Sequence, residues 1–152
     1  MKVLALGGSG GMGRYAVQYL HNIKQIEKIY VADVNSLSAK KFASHFDNRV
    51  EGLKLDIRDF ETLKSEMSKV DIVVNTTGPF FLFAEPILKA AIQTNTHYFD
   101  ICDDWEPTEK MLQMNEDAKK ANITAIIGLG ASPGLTNICL LYTSDAADDT
   151  NR

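Results

Sequence analysis

Short apolar runs alternate with amphipathic stretches along most of the chain. The runs carry few charges and several are followed at once by glycine or aspartate, which is typical of parallel strands buried on both faces. Strands are predicted at Lys2–Leu6, Lys28–Ala32, Gly52–Leu55, Asp71–Asn75, Tyr98–Ile101 and Ile123–Ile127.

Apolar residues spaced three and four apart between these runs predict helices with one buried face. The first helix begins at Met12, and its predicted face is Met12, Ala16, Tyr19, Leu20 and Ile23. Ser38 is expected to cap the second helix and Asp59 the third. Two further helices are predicted at Glu85–Gln93 and Pro107–Ala121. The expected fold class is therefore α/β, a doubly wound parallel sheet of the Rossmann type, over residues 1–137.

The composition fits one globular domain, with 152 residues, 45% of them hydrophobic and 24% charged. A formal net charge of -4 gives no general attraction for nucleic acid or an anionic membrane surface, so neither is expected as a partner. No apolar run approaches the roughly 20 residues of a membrane span, and the cytoplasm is the expected location. Cys102 and Cys139 have no metal-ligand spacing, so no metal site is expected.

A glycine-rich stretch, LALGGSGGMGRYAV, joins the first strand to the first helix. In a parallel sheet this turn faces the ligand side, where side chains would keep a pyrophosphate away from unpaired helix amides. We favour the spacing G-x-x-G-x-x-G through Gly7, Gly10 and Gly13 over G-x-G-x-x-G through Gly8, although such a turn can also simply join two elements. The predicted pyrophosphate residues are Gly7, Ser9, Gly10, Gly11, Met12 and Gly13.

Polar residues also follow the second, third and fourth predicted strands, at the edge of the sheet where the rest of a dinucleotide would lie. Asp33 lies about 20 residues after Gly13, where a carboxylate accepts hydrogen bonds from the ribose hydroxyls and repels a 2′-phosphate. The expected cofactor is NAD(P), with NAD favoured over NADP, while Lys40 and Lys41 keep NADP open. The alternative for Asp33 is a turn aspartate. Asp56 and Ile57 are further cofactor candidates, expected at the adenine. Thr76, Thr77 and Gly78 form a small polar turn that is also a cofactor candidate. For each of these two groups the alternative is an ordinary turn with no ligand.

Four segments together resemble the N-terminal half of the saccharopine dehydrogenase family: LGGSGGMGRYAV, NTTGPF, HYFDICDDWEPT and GLGASPGLTN. The likeness runs from about Met1 to Asn137. It implies a dinucleotide-binding domain followed by a substrate domain, in an NAD(P)-dependent oxidoreductase. Such enzymes form or break C–N bonds of amino acid or polyamine derivatives by hydride transfer. It also implies that Thr76, Thr77 and Gly78 border the nicotinamide, and that the fragment alone is inactive.

The loop after the fifth strand is rich in acids and includes Asp100, Asp103, Asp104, Trp105 and Glu106. Carboxylates at the carboxyl edge of a sheet suit an ammonium-bearing substrate or a protonated imine, so Asp103, Asp104 and Trp105 are the substrate-side candidates. The alternative is that Asp103 or Asp104 caps the helix that begins near Pro107. His97 and Cys102 are expected to be structural, and no catalytic residue is assigned.

Two other functions fit the same glycine turn. One is a short-chain reductase or epimerase, whose chemistry needs a Tyr-x-x-x-Lys pair, but no tyrosine of this sequence has lysine four residues later. The other is a non-catalytic NAD(P)-sensing module. The sequence pattern does not identify the small-molecule substrate or the oligomeric state. A homo-oligomer of the full-length parent is compatible with the sequence.

After Asn137 the pattern changes, because CLLYTSDAADDTNR shows neither helix nor strand periodicity. The bases TGT CTC TTA TAC ACA TCT GAC GCT GCC GAC encode Cys139–Asp148 and resemble a transposase adapter used in sequencing libraries. Residues 138–152 are therefore expected to be a non-native tail translated from an adapter. A natural, acidic and disordered tail is the alternative.

Overall fold

A computed structural model describes the backbone of residues 1–149 and the side chains of residues 1–143. The strands are β1 (Lys2–Leu6), β2 (Lys28–Asp33), β3 (Val50–Lys54), β4 (Ile72–Asn75), β5 (His97–Asp100) and β6 (Ala125–Ile126). They form a parallel sheet in the order β3-β2-β1-β4-β5-β6. The doubly wound α/β class is confirmed, and each strand lies within a residue or two of its predicted bounds.

Helices cover both faces of this sheet. They are α1 (Gly11–His21), α2 (Ser36–Ala43), α3 (Phe60–Met67), α4 (Phe80–Gln93), α5 (Trp105–Leu112), α6 (Asn115–Lys120) and α7 (Thr136–Asp149). Side chains of β1 alternate between the two faces. Val3 and Ala5 pack in a cluster with α1 and α2, whereas Leu4 and Leu6 pack in a cluster with α3, α4 and α5. The central strand is therefore buried on both sides.

The buried face of α1 differs from the prediction. Gly13 and Val17 are buried, whereas Met12 and Tyr19 are 58% and 73% exposed. The cause is a close approach, because a Cβ at Gly13 would lie 2.2 Å from the carbonyl oxygen of Gly7. The helix therefore meets the glycine turn through Gly13, whereas Leu20 and Ile23 of the predicted face do pack against the core.

The two predicted helix caps have different outcomes. Asn35, not Ser38, caps α2, and its Oδ1 accepts a hydrogen bond from the Ser38 N–H at 3.1 Å. Asp59 caps α3 as predicted, accepting from the Thr62 N–H at 3.1 Å. Both side chains satisfy an amide that the first helical turn leaves unpaired.

Two helix boundaries were wrong. α4 begins at Phe80, not at Glu85, and Oδ2 of Asp104 accepts a hydrogen bond from the Phe81 N–H at 3.2 Å. This contact joins residues distant in sequence, so local spacing could not reveal it. The single helix Pro107–Ala121 is instead two helices, α5 and α6, with the break at residues 113–114.

The expected loss of helix after Asn137 was also wrong, because α7 continues through Asp149. Four of its apolar side chains are exposed to solvent, by 66–77%: Ile138, Leu140, Leu141 and Tyr142. Residues 150–152 of the predicted tail lie outside the described residues.

Candidate functional site

A cavity of about 420 Å³ opens over the carboxyl ends of β1, β2, β3 and β4. Its volume lies in the range of roughly 300–1,000 Å³ that is usual for small-molecule and cofactor sites. The strand order reverses direction between β1 and β4. Sheets of this kind bind ligands at such a reversal.

The glycine turn forms one wall of the cavity and is held to β2. Gly7 has a φ of +68°, which favours glycine, and its N–H donates to the Ala32 carbonyl oxygen at 2.9 Å. Gly10 donates its N–H to the Gly7 oxygen at 2.9 Å. Gly7 and Gly10 line the cavity, and Gly13 supports Gly7 from the helix side.

The first turn of α1 offers backbone amides to a ligand. Its N-cap is Gly10, which has no side chain to bond these amides, and the turn contains no acidic residue. The first amides of a helix have no partner within the helix, and the helix dipole adds positive potential there. A Cβ at Gly11 would meet nothing within 4 Å, so the space in front of the turn is open. These features fit a pyrophosphate.

Two predicted pyrophosphate residues lie elsewhere. Ser9 is only 6% exposed, and its hydroxyl donates to Oδ2 of Asp33 at 2.5 Å. Met12 points its side chain into solvent and does not line the cavity. Ser9 thus acts on the site through Asp33, while Met12 can contribute only its backbone.

Asp33 ends β2 and lines the cavity. Its Oδ1 accepts from the Asn35 N–H at 3.0 Å, and its Oδ2 accepts from Ser9. The structure therefore shows the turn contact that was the alternative to ribose binding. A carboxylate has about four acceptor positions, so both oxygens still have capacity for ribose hydroxyls.

Asp56 and Ile57 line the cavity beyond β3, together with Arg58, which sequence reasoning missed. The Arg58 Nε donates to both carboxylate oxygens of Asp56 at 2.9 and 3.1 Å, and its Nη2 donates to Oδ2 at 2.6 Å. These hydrogen bonds from Arg58 lower the pKa of Asp56 to about 2, while the same pairing raises the pKa of Arg58. The Asp-x-Arg spacing was the signal available in the sequence.

Thr76, Thr77 and Gly78 line the opposite wall, at the end of β4. Thr76 is fixed, since its hydroxyl donates to the Leu6 carbonyl oxygen at 2.9 Å. The Thr77 hydroxyl oxygen is buried and has no hydrogen-bond partner among the described residues. Such an orphaned buried group is rare in proteins. It lies beside Gly7, where a Cβ would be 3.1 Å from it.

A buried polar network supports this wall, and sequence reasoning missed it. The Asn75 side-chain amide donates to the Tyr98 hydroxyl at 3.0 Å, and that hydroxyl donates to Oδ2 of Asp100 at 2.8 Å. Oδ1 of Asp100 accepts from the Gly128 N–H at 2.8 Å. Asn75 in turn accepts from the Thr77 N–H at 2.9 Å, which fixes the turn after β4. Burial, and then the charge of Asp100, raise the pKa of Tyr98 well above its ordinary value.

The acidic cluster after β5 does not line the cavity. Asp100 is not in the loop but on β5, 1% exposed. Asp104 occupies the N-cap position of α5, the predicted alternative, but its side chain makes no capping hydrogen bond there and instead accepts from the Phe81 N–H of α4. Asp103 is exposed and Trp105 is 77% exposed. These substrate-side candidates therefore lie next to the start of α4, outside the described cavity.

A known protein family matches most of the chain. The family described as "Saccharopine dehydrogenase NADP binding domain" matches residues 3–126. The chain belongs to this family. The match confirms the resemblance seen in the sequence and the cofactor class NAD(P), while the preference for NAD stays a prediction.

Curated relatives share this family region at low identity. A Caenorhabditis elegans "Lipid droplet localized protein" is 28% identical over 139 residues, which are 84% of this chain and 32% of that protein. The Schizosaccharomyces pombe "Saccharopine dehydrogenase [NADP(+), L-glutamate-forming]" is 25% identical over 143 residues, 94% of this chain and 30% of that protein. The chain thus spans about a third of the length of these relatives.

Solved structures share the fold. The apo saccharopine dehydrogenase (L-Glu forming) of Saccharomyces cerevisiae has a TM-score of 0.82 at 23% identity, covering 95% of this chain and 31% of that one. The Citrobacter triphenylmethane reductase complexed with NADP(H) has a TM-score of 0.62 at 17% identity, covering 84% of this chain and 48% of that one. Among the described residues, no helix is long and apolar enough to cross a bilayer. No group of three or more potential metal ligands is found in this same part of the chain.

Proposed function

We propose that this chain is the NAD(P)-binding part of a saccharopine dehydrogenase-like oxidoreductase that acts on a C–N bond of an amino acid or polyamine derivative. The observation that carries the proposal is the glycine cradle with its open helix amides beside a strand-terminal acid. The parent protein is proposed to work in the cytoplasm on a small-molecule substrate.

Each end of the cavity has its own role in this proposal. The amides at the start of α1 bind the pyrophosphate, and Asp33 binds the adenosine ribose. Thr77 donates its orphaned hydroxyl on the nicotinamide side, next to Gly78. The bound dinucleotide supplies the hydride that reduces a C=N bond to an amine, or accepts it in reverse. Asp103 and Trp105 are proposed to meet the substrate, where a carboxylate stabilises an ammonium group.

Direct binding tests the cofactor half of the proposal. The purified chain is titrated with NADH and with NADPH, and nicotinamide fluorescence is followed. We expect saturable binding of both, with NADH the tighter ligand because Asp33 repels a 2′-phosphate. A folded chain that binds neither ligand would overturn the proposal.

Asp33→Asn tests the preference for NAD. The amide keeps one oxygen as an acceptor but removes the charge, so the ratio of NADPH to NADH affinity rises by roughly 10-fold, which corresponds to about 1.4 kcal/mol and lies between the water and protein-surface values for two charges in contact. Asp117→Asn is the matched control, because Asp117 lies on α6 and pairs with Lys120 at the surface. An unchanged ratio in Asp33→Asn would contradict this role.

Turnover tests the reaction in the full-length parent. Amino acids are paired with keto acids or aldehydes, and oxidation of NAD(P)H is followed together with formation of the secondary amine. Cofactor binding without turnover on any pair would favour the NAD(P)-sensing module instead.

We also propose that the natural coding sequence stops contributing to this chain at about Asn137 or Ile138, and that the residues after it are translated adapter. The match between the adapter bases and Cys139–Asp148 supports this proposal. Sequencing the source locus tests it, and a native frame that runs through CLLYTSDAAD without a junction would refute it.

A further inference from the structure

Arg58 is the one basic side chain among the described residues that line the cavity. The pyrophosphate, ribose and nicotinamide roles above make no use of it. It is 71% exposed despite its contacts with Asp56, so its guanidinium is held in place but not covered.

The contacts with Asp56 use only one edge of this guanidinium. Nε and Nη2 donate to the carboxylate, and the Arg58 N–H also donates to Oδ1 at 3.0 Å. Each Asp56 oxygen therefore already accepts two hydrogen bonds, which is the usual capacity of a carboxylate oxygen. Asp56 has little capacity left for an adenine amino group. These in-plane contacts do not use the flat faces of the Arg58 guanidinium.

Asp56 and Arg58 lie on the side of the cavity where the adenosine is proposed to bind. The segment after β3 is tied to β2, since the Leu55 N–H donates to the Asp33 carbonyl oxygen at 3.0 Å. The apolar residues Val34 and Ile57 line the same part of the cavity. A planar base that enters beside Asp33 thus meets aliphatic side chains and the face of one guanidinium.

The charges at this end favour a neutral ring over a second phosphate. Asp33 and Asp56 each carry one negative charge, and Arg58 carries one positive charge, so the net charge of these groups is negative. A dianionic 2′-phosphate would add to it. A guanidinium face stacks well on an aromatic ring without needing a free hydrogen-bonding edge.

We propose that Arg58 is a cofactor-binding residue that stacks on the adenine ring of the dinucleotide, and that Asp56 is the positioning residue that holds it. This inference rests on the proposed function. It also assigns Asp56 a different task from a direct hydrogen bond to the base.

Binding of two ligands by the 152-residue chain tests the inference. ADP-ribose and 2′-phospho-ADP-ribose are titrated by calorimetry into the unmodified chain, Arg58→Gln and Asp56→Asn. Lys120→Gln is the control, since Lys120 lies on α6 and is 77% exposed. We expect Arg58→Gln to weaken both ligands by the same factor, about 10-fold. Asp56→Asn weakens both by about 3-fold, because Arg58 is then less well held.

A second ligand pair separates stacking from recognition of the adenine amino group. Nicotinamide hypoxanthine dinucleotide lacks that amino group, and we expect the unmodified chain to bind it within about 2-fold of NAD. A much weaker hypoxanthine ligand would show that Asp56 reads the base directly and would overturn the inference.

The other outcomes are equally distinct. If Arg58→Gln weakens only 2′-phospho-ADP-ribose, Arg58 binds a phosphate and the stacking role is wrong. If it weakens neither ligand while the unmodified chain binds both, only the role of Arg58 is refuted. If the unmodified chain binds neither ligand, the proposed function itself fails. Circular dichroism of each variant verifies that it is folded.

Discussion

Replacing Tyr98 by phenylalanine removes one hydroxyl from the centre of the buried polar network. That hydroxyl joins the Asn75 amide, at 3.0 Å, to the Asp100 carboxylate, at 2.8 Å. All three side chains are at most 1% exposed, so water does not replace the lost contacts. The ring itself keeps its packing, and the change therefore isolates the hydrogen bonds.

The size of the stability loss follows from Asn75 and Asp100, the two buried groups that lose the Tyr98 hydroxyl as a hydrogen-bond partner. A buried polar group that loses its hydrogen bond costs about 1–3 kcal/mol, so two of them cost roughly 2–6 kcal/mol. A central value of about 4 kcal/mol is a large part of the ~5–15 kcal/mol that stabilises an ordinary domain. At roughly 2–4 °C per kcal/mol, Tm falls by about 8–16 °C.

Urea unfolding followed by circular dichroism measures this loss. Tyr19→Phe is the matched control, because Tyr19 is 73% exposed on α1 and its hydroxyl faces solvent. The control is expected to change the unfolding free energy by no more than about 0.5 kcal/mol. If Tyr98→Phe is as stable as Tyr19→Phe, the hydroxyl does not connect Asn75 to Asp100 and the reasoning is refuted.

Three further predictions follow from the same contacts. The raised pKa of Tyr98 keeps its hydroxyl protonated in the folded protein. The free energy of unfolding should therefore be unaffected below the ordinary tyrosine pKa of about 10 and should fall above it by up to ~1.4 kcal/mol per pH unit. Urea unfolding of Tyr98→Phe should not show this fall at high pH. The Asp56 carboxyl should titrate near 2 by NMR, staying ionised in mild acid, and Arg58→Gln should raise its pKa, whereas an unchanged value would contradict the pairing. Gly13→Ala should unfold the glycine turn and abolish NADH binding, because its Cβ would lie 2.2 Å from the Gly7 oxygen. Gly11→Ala should melt like the unmodified chain, because its Cβ would meet open space, but should still weaken NADH binding, because that space is the one proposed for the pyrophosphate.

The sheet could be predicted because its signals are local. Each strand is a short apolar run, and Asp59 marks a helix start through contacts within three residues. The glycine turn and Asp33 could also be placed, because a parallel sheet brings the ends of its strands to one edge. All of these inferences need only neighbours in sequence and one rule of topology.

The missed features depend on contacts between distant residues. The start of α4 is fixed by Asp104, more than twenty positions later in the chain. The network joins Asn75 on β4, Tyr98 and Asp100 on β5, and Gly128 in the turn after β6. No periodicity connects such positions, so only the folded arrangement reveals that Asp100 is structural.

The strand order also affects how the protein emerges from the ribosome. β1 is complete at Leu6, but its neighbour β4 begins only at Ile72. Translation adds about 5–20 residues per second, so one edge of β1 stays unpaired for roughly 3–13 s before β4 is synthesised. Unpaired edges of apolar strands invite pairing with other chains. Slower translation before Ile72 should therefore raise the need for chaperones that shield nascent strands.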